Sequence, residues 1–213
     1  GDHRDLHSFP TRRSSDLRIE DWKYTDLRAL MREVLPLAPA PDAAALGRAA
    51  AAIKLQAIDG VRRLVLVDGA FAPDLSDLGN LDKGLGIQPL REVLDAGDGV
   101  LSTQAFATDI SNPMIALNGA MATDGVVIEI ADGTVLAQPL HIVHVASGTA
   151  PASMFTRSLL RLGRDANVTL VESYLAGEGA KAYQAYDGLI VAIGDNARLD
   201  HVRLVEEIGR AHV

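Results

Sequence analysis

The chain contains no cysteine among its 213 residues. That excludes disulfides and thiolate metal ligands within it and is compatible with a cytosolic setting. Aromatic residues amount to 4%, with a single tryptophan, so any place where rings gather stands out. No apolar run reaches the roughly 20 residues of a membrane-spanning helix. Basic residues are the minority, 20 against 28 acidic, for a net charge of −8. Without a basic patch, nucleic acid and anionic membrane are poor partners. Phosphate loops are missing too: Gly177-Glu178-Gly179 lacks the third glycine and the lysine of the nucleotide motifs. Ser173 has no GxSxG surroundings that would activate a serine.

The two ends read as foreign to the rest. Arg13 to Leu17 can be coded by a stretch whose reverse complement, read in frame, gives the end of Glu207 and then Ile208 to Ala211. Inverted agreement of that kind suits adapter sequence translated at both ends of an insert, so residues 1–17 and 207–213 are set aside as non-native. The remaining Arg18–Glu206 is expected to be a piece of a longer protein. No signal-peptide pattern stands at Arg18. Trimming leaves the net charge at −8 and three histidines, His141, His144 and His201.

Residues 18–112 mix helix and strand signals and read as an α/β lobe. Glu20-Asp21-Trp22-Lys23-Tyr24-Thr25-Asp26 brings together the only tryptophan, a tyrosine and flanking charges. Thr25 and Asp26 are good caps for a helix near Asp26–Val34 that stops at Pro36. The physical reading of Trp22 and Tyr24 is two rings folded over a first helical turn. Glu20, Asp21 and Asp26 sit on one segment and favour the positive helix end rather than acid–base work. After the extended Pro36–Pro41 connector, Asp42 caps an alanine-rich helix to about Ile58. Arg62–Val67 reads as a strand turning at Asp68-Gly69. Pro89 opens a short helix through Leu94, 97–111 is loop-like, and Asn112-Pro113 opens a helix to about Met121.

From Gly125 onward the texture becomes all-β, and residues 113–206 are set apart as a second unit. Short branched runs at 126–130, 141–145, 159–162, 168–172, 189–193 and 199–204 are separated by Gly, Asp and Asn corners. The corner Gly163-Arg164-Asp165-Ala166-Asn167-Val168 returns 31 residues later as Gly194-Asp195-Asn196-Ala197-Arg198-Leu199. A weaker copy, Ala131-Asp132-Gly133-Thr134-Val135-Leu136, precedes it by 32. Strands and tight corners at that period, without helices, point to stacked coils of a parallel β-solenoid. An antiparallel sandwich with similar turns stays open on pattern alone.

The histidines do not compose a metal site. His141 and His144 lie three apart on a strand, so alternation sends them to opposite faces. His201, beside Asp200 and Arg203, reads as a polar outward rung and is the one metal-ligand candidate. Glu172 and Arg203 occupy matching coil positions with opposite charge, which suits a cross-rung ion pair. No catalytic residue and no cofactor-binding residue is identified.

Three stretches together resemble one family. They are the Trp22 segment; Leu117-Asn118-Gly119-Ala120-Met121-Ala122-Thr123-Asp124-Gly125 with its following strand and Pro139-Leu140-His141; and Gly194–His201. They are similar to SufD, the scaffold subunit of the SUF iron–sulfur assembly system; the strand motifs alone also suit its paralogue SufB. Trp22, Tyr24, Thr25 and Asp26 then stand as signature residues with a structural role. The resemblance implies an N-terminal α/β lobe, a right-handed parallel β-helix cut off on its C-terminal side, and no enzyme activity of its own. It implies a cytoplasmic partner of SufB and the ATPase SufC, with the iron–sulfur cluster assembled transiently by the full complex and no cofactor held in this piece. The family's cluster-site histidine and SufC-binding helices would follow Glu206. Two other classes remain alternatives: a β-helix carbohydrate-active enzyme, and a structural or adhesive β-solenoid.

Overall fold

The computed structural model describes residues 33, 35–106, 112–180 and 182–205. The helix expected near Asp26–Val34, with Trp22, Tyr24, Thr25 and Asp26, lies outside them, as do both ends set aside above. The first described helix, α1 (Ala43–Leu55), begins where its alanines and the Asp42 cap require. The Asp42 carboxylate accepts the Ala45 N–H at 2.7 Å, satisfying one donor of the open first turn. The helix ends at Leu55, short of Ile58, and the chain reverses at Gly60 with φ +75°. Strand β1 (Arg62–Val67) then turns through Asp68 (φ +49°) and Gly69 (φ +86°) into the two-residue β2 (Ala70–Phe71). Two consecutive left-handed residues match the twist of a tight hairpin.

Among the described residues nine strands form two sheets. Beyond β1 and β2 they are β3 (Leu85–Pro89), β4 (Val126–Ile130), β5 (Leu140–Ala146), β6 (Ala152–Leu162), β7 (Asn167–Ala176), β8 (Tyr183–Ile193) and β9 (Arg198–Val205). One sheet runs β2-β1-β5-β7-β9 and the other β3-β4-β6-β8. From β4 onward the pairing between neighbours is parallel, and from β5 the chain alternates between the sheets. Among the described residues the antiparallel strand pairs are β1–β2 and β3–β4. An antiparallel sandwich therefore does not describe these ladders. Strands from both sides of residue 113 share both sheets, because β1 pairs β5 and β3 pairs β4.

The repeat in the sequence is the repeat in space. Asn167 stands opposite Arg198, 31 residues on, and Val127 opposite Leu159, 32 on. The corners stack in register: Asp165 and Asn196 both take positive φ, +58° and +55°, which Asp and Asn tolerate best among non-glycine residues. Gly163 and Gly194 precede them because each lies against the corner one coil earlier. A Cβ at Gly163 would come within 2.5 Å of the Asp132 nitrogen, and one at Gly194 within 2.8 Å of the Arg164 nitrogen.

Burial explains the helices. Between the sheets lies a core of Leu64, Leu66, Val126, Ile128, Ile142, Leu160 and Leu170, with further branched residues beside them. Helix α1 covers the outer face of the first sheet through Ala49 and Ile53 against Val65, Val143 and Val145. The second sheet's outer face, through Val127 and Leu159, is covered by α2 (Leu90–Asp95) and α3 (Gly99–Phe106). Helix α4 (Pro113–Met121) packs on β6 and β8 and starts at the expected Asn112 cap, whose Oδ1 accepts from Met114 and Ile115.

Three readings need correction. The 97–111 stretch contains α3, nucleated by Asp98, whose Oδ1 accepts the Val100 and Leu101 N–H groups at 3.0 Å and which buries Leu101 and Ala105. Pro89 is the cap of α2 and the last residue of β3, a strand the sequence reading missed. Strands β6 and β8 are far longer than their apolar runs, since β6 also buries Ser153, Thr156, Arg157 and Ser158.

Candidate functional site

Alternation along a strand fixes which residues share a face, and register then stacks them across coils. On the inner face of the first sheet, Leu64, Ile142, Glu172 and Arg203 form one column, and Leu66, His144, Tyr174 and Val205 the next. The first column is apolar in β1 and β5 and charged in β7 and β9, and the second is polar at His144 and Tyr174 between Leu66 and Val205. The change gathers His144, Glu172, Tyr174, Asp187, His201 and Arg203 between the sheets.

Glu172 is the centre of this group, 2% exposed. His201 Nε2 lies 2.7 Å from its Oε2, Arg203 Nη2 at 3.3 Å from the same oxygen, and His144 Nε2 at 3.7 Å from Oε1. Burial alone would raise the Glu172 pKa. The contacts with His144, Arg203 and His201 outweigh burial and hold it down to about 2. The Tyr174 ring stacks on His144 with centroids 4.8 Å apart and planes 7° from parallel. The Arg203 guanidinium stands 5.4 Å from the same ring, within cation–π range. Burial first, then the charges of Asp187 and Glu172, push the Tyr174 phenol up, so it stays neutral. From the second sheet, Asp187 Oδ1 accepts the Thr156 hydroxyl at 2.7 Å and lies 3.4 Å from His144 Nδ1. Tyr174, Asp187 and Arg203 also line a cleft of about 590 Å³ that reaches Arg157 and α4.

The expected Glu172–Arg203 pair is present, as is the separation of His141 from His144. His141 points to the outer face, where Nε2 meets Ser173 Oγ at 2.8 Å. Burial, then the charge of Arg63, lowers its pKa, consistent with a neutral, hydrogen-bonded ring. The outward placement of His201 is corrected. It is the register partner of Leu170, a core residue, and so faces inward onto Glu172. Its nitrogen is engaged by that carboxylate, and among the described residues no group of three or more His, Asp or Glu side chains could hold a metal ion. Sequence reasoning found Glu172 and Arg203 by coil matching but missed His144 and Asp187, which meet across the two sheets.

The Leu117–Gly125 motif has a structural reading. Asn118, on α4, donates through Nδ2 to the carbonyls of Thr156 (2.9 Å) and Tyr186 (2.7 Å), tying β6 to β8. Its Oδ1 accepts from Arg157 Nη1 at 2.8 Å. Arg157 is 1% exposed and also donates to the Ala105 carbonyl at 2.5 Å while standing over the Phe106 ring. Burial lowers its pKa. Asp124 accepts from the Phe71, Arg91 and Gly125 backbone N–H groups, joining β2, α2 and β4.

These features define an α/β protein built on two stacked, mainly parallel ladders with an ion-pair column inside. The family model of the SufBD protein N-terminal region matches residues 3–142. The chain therefore belongs to the SufB/SufD family, whose place is iron–sulfur cluster assembly in the SUF system. Glu172, Asp187, His201 and Arg203 lie beyond the matched stretch. A search of curated proteins gives no match. Among the described residues no helix is long and apolar enough to cross a membrane.

Proposed function

We propose that the chain is SufD-like, a scaffold without catalysis of its own that acts in the cytoplasm with SufB and the ATPase SufC. In this reading the parallel ladders are the first coils of a right-handed β-helix. Nearest-neighbour stacking makes such a rod stiff and leaves lateral surface for partners. Each coil advances by about 4.8 Å, the spacing of hydrogen-bonded strands, so partners would be held at fixed separation. Movement of SufC driven by nucleotide would rearrange the SufB–SufD contact where iron and sulfide meet; the cluster is cargo there, not a resident group of this chain.

The observation that carries the reading is the SufBD match over residues 3–142. It gains support from the 31-residue register that repeats along β6–β9. The Trp22 segment inclines it to SufD over SufB. The test is co-expression of the protein with SufB and SufC, followed by affinity purification on one subunit. Recovery of all three together is expected; absence of this protein from both partners would overturn the proposal.

A further inference from the structure

His144 stands between two carboxylates from different sheets. Nε2 faces Glu172 Oε1 on β7 at 3.7 Å and Nδ1 faces Asp187 Oδ1 on β8 at 3.4 Å. The His144 and Asp187 side chains are each 12% exposed. A neutral imidazole has one N–H and meets one carboxylate as donor; only the imidazolium satisfies both. The remaining groups around it are Tyr174 from β7, stacked on the ring; Arg203 and His201 from β9, both on Glu172; and Thr156 from β6, on Asp187. Tyr183 lines the same small void of about 20 Å³. Two carboxylates face one permanent cation, Arg203, so one further proton on the imidazoles balances the group.

We propose that His144 is a proton-operated latch that fastens the two sheets to each other at β5, β7 and β8. With the ring cationic, it bridges Glu172 and Asp187. When the ring loses its proton to solvent, Glu172 keeps His201 and Arg203 as partners. Asp187 keeps the Thr156 hydroxyl but loses its facing cation, so a buried charge is left poorly compensated. The separation that relieves it frees β8, because Asp187 lines the 590 Å³ cleft together with Tyr174 and Arg203. The latch is thus closed while the imidazole carries its second proton and opens as rising pH removes it. This inference does not depend on the choice between SufD and SufB.

The experiment is hydrogen exchange on the full chain between pH 5.5 and 8.5, expressed as protection corrected for intrinsic rates. Amides around Asp187 in β8 should lose about tenfold in protection across that range, a change of roughly 1.4 kcal/mol, while β4 amides stay constant. His144→Gln keeps size and removes the titrating proton, so its β8 protection should be independent of pH. Asp187→Asn removes the facing charge and should flatten the profile as well; it is the reading to use if the first variant fails to fold. His201→Gln should retain most of the wild-type dependence. Protection that does not change with pH in the wild type, or a wild-type profile in either flattening variant, overturns the latch.

Discussion

Replacing Glu172 with Gln removes the charge of the inner column with little change in volume. The carboxylate is held at about 2 against an ordinary 4.5. At 1.36 kcal/mol per pH unit of difference, the ionised group contributes about 3 kcal/mol to folding at neutral pH. A depressed carboxyl stabilises above its unfolded value and loses that contribution as pH falls, here from about 4.5 toward 2. Breaking a fully buried pair costs roughly 3–5 kcal/mol. The side chains of His201 and Arg203 are 34% and 48% exposed, so water recovers part of the loss, and about 2–3 kcal/mol is expected at pH 7. With a urea slope near 2 kcal/mol/M, the unfolding midpoint should drop by roughly 1 M. The informative quantity is the stability difference between wild type and Glu172→Gln, measured by urea unfolding from pH 7 down to pH 2.5. It should shrink steadily as pH falls below about 4.5. A difference that does not change with pH, or one under 0.5 kcal/mol at pH 7, would refute the claim that Glu172 is an ionised clamp.

Two further substitutions test the scaffold. Gly125→Ala would place a methyl group against the Arg157 carbonyl, where backbone must yield, so a loss of about 2 kcal/mol or more in thermal or urea unfolding is expected. Asn118→Ala removes the tie between β6 and β8 and leaves Arg157 Nη1 without its acceptor; a cost of about 2–4 kcal/mol is expected, and an unfolding midpoint equal to wild type would refute the tie.

The sequence by itself determined the repeat. Gly163-Arg164-Asp165 and Gly194-Asp195-Asn196 announce corners because left-handed backbone admits few residue types, and their 31-residue spacing is the register found between β7 and β9. The Asp42 and Asn112 caps and the Asp68-Gly69 turn were legible for the same local reason. Helix α3 was less so, since its short apolar face carries meaning only against Val127 and Leu159. Nor were the first halves of β6 and β8 legible, where polar residues such as Ser153, Thr156 and Arg157 are buried by partners far away in the chain. Alternation told that Asp200 and His201 point to opposite sides, yet not which side is inward; the stack of Leu140 and Leu170 beneath His201 decided that. Coil matching paired Glu172 with Arg203 within one sheet. Bringing His144 to Asp187 took the second sheet, because a contact between faces depends on how two ladders are set against each other, and no period within a single strand encodes that.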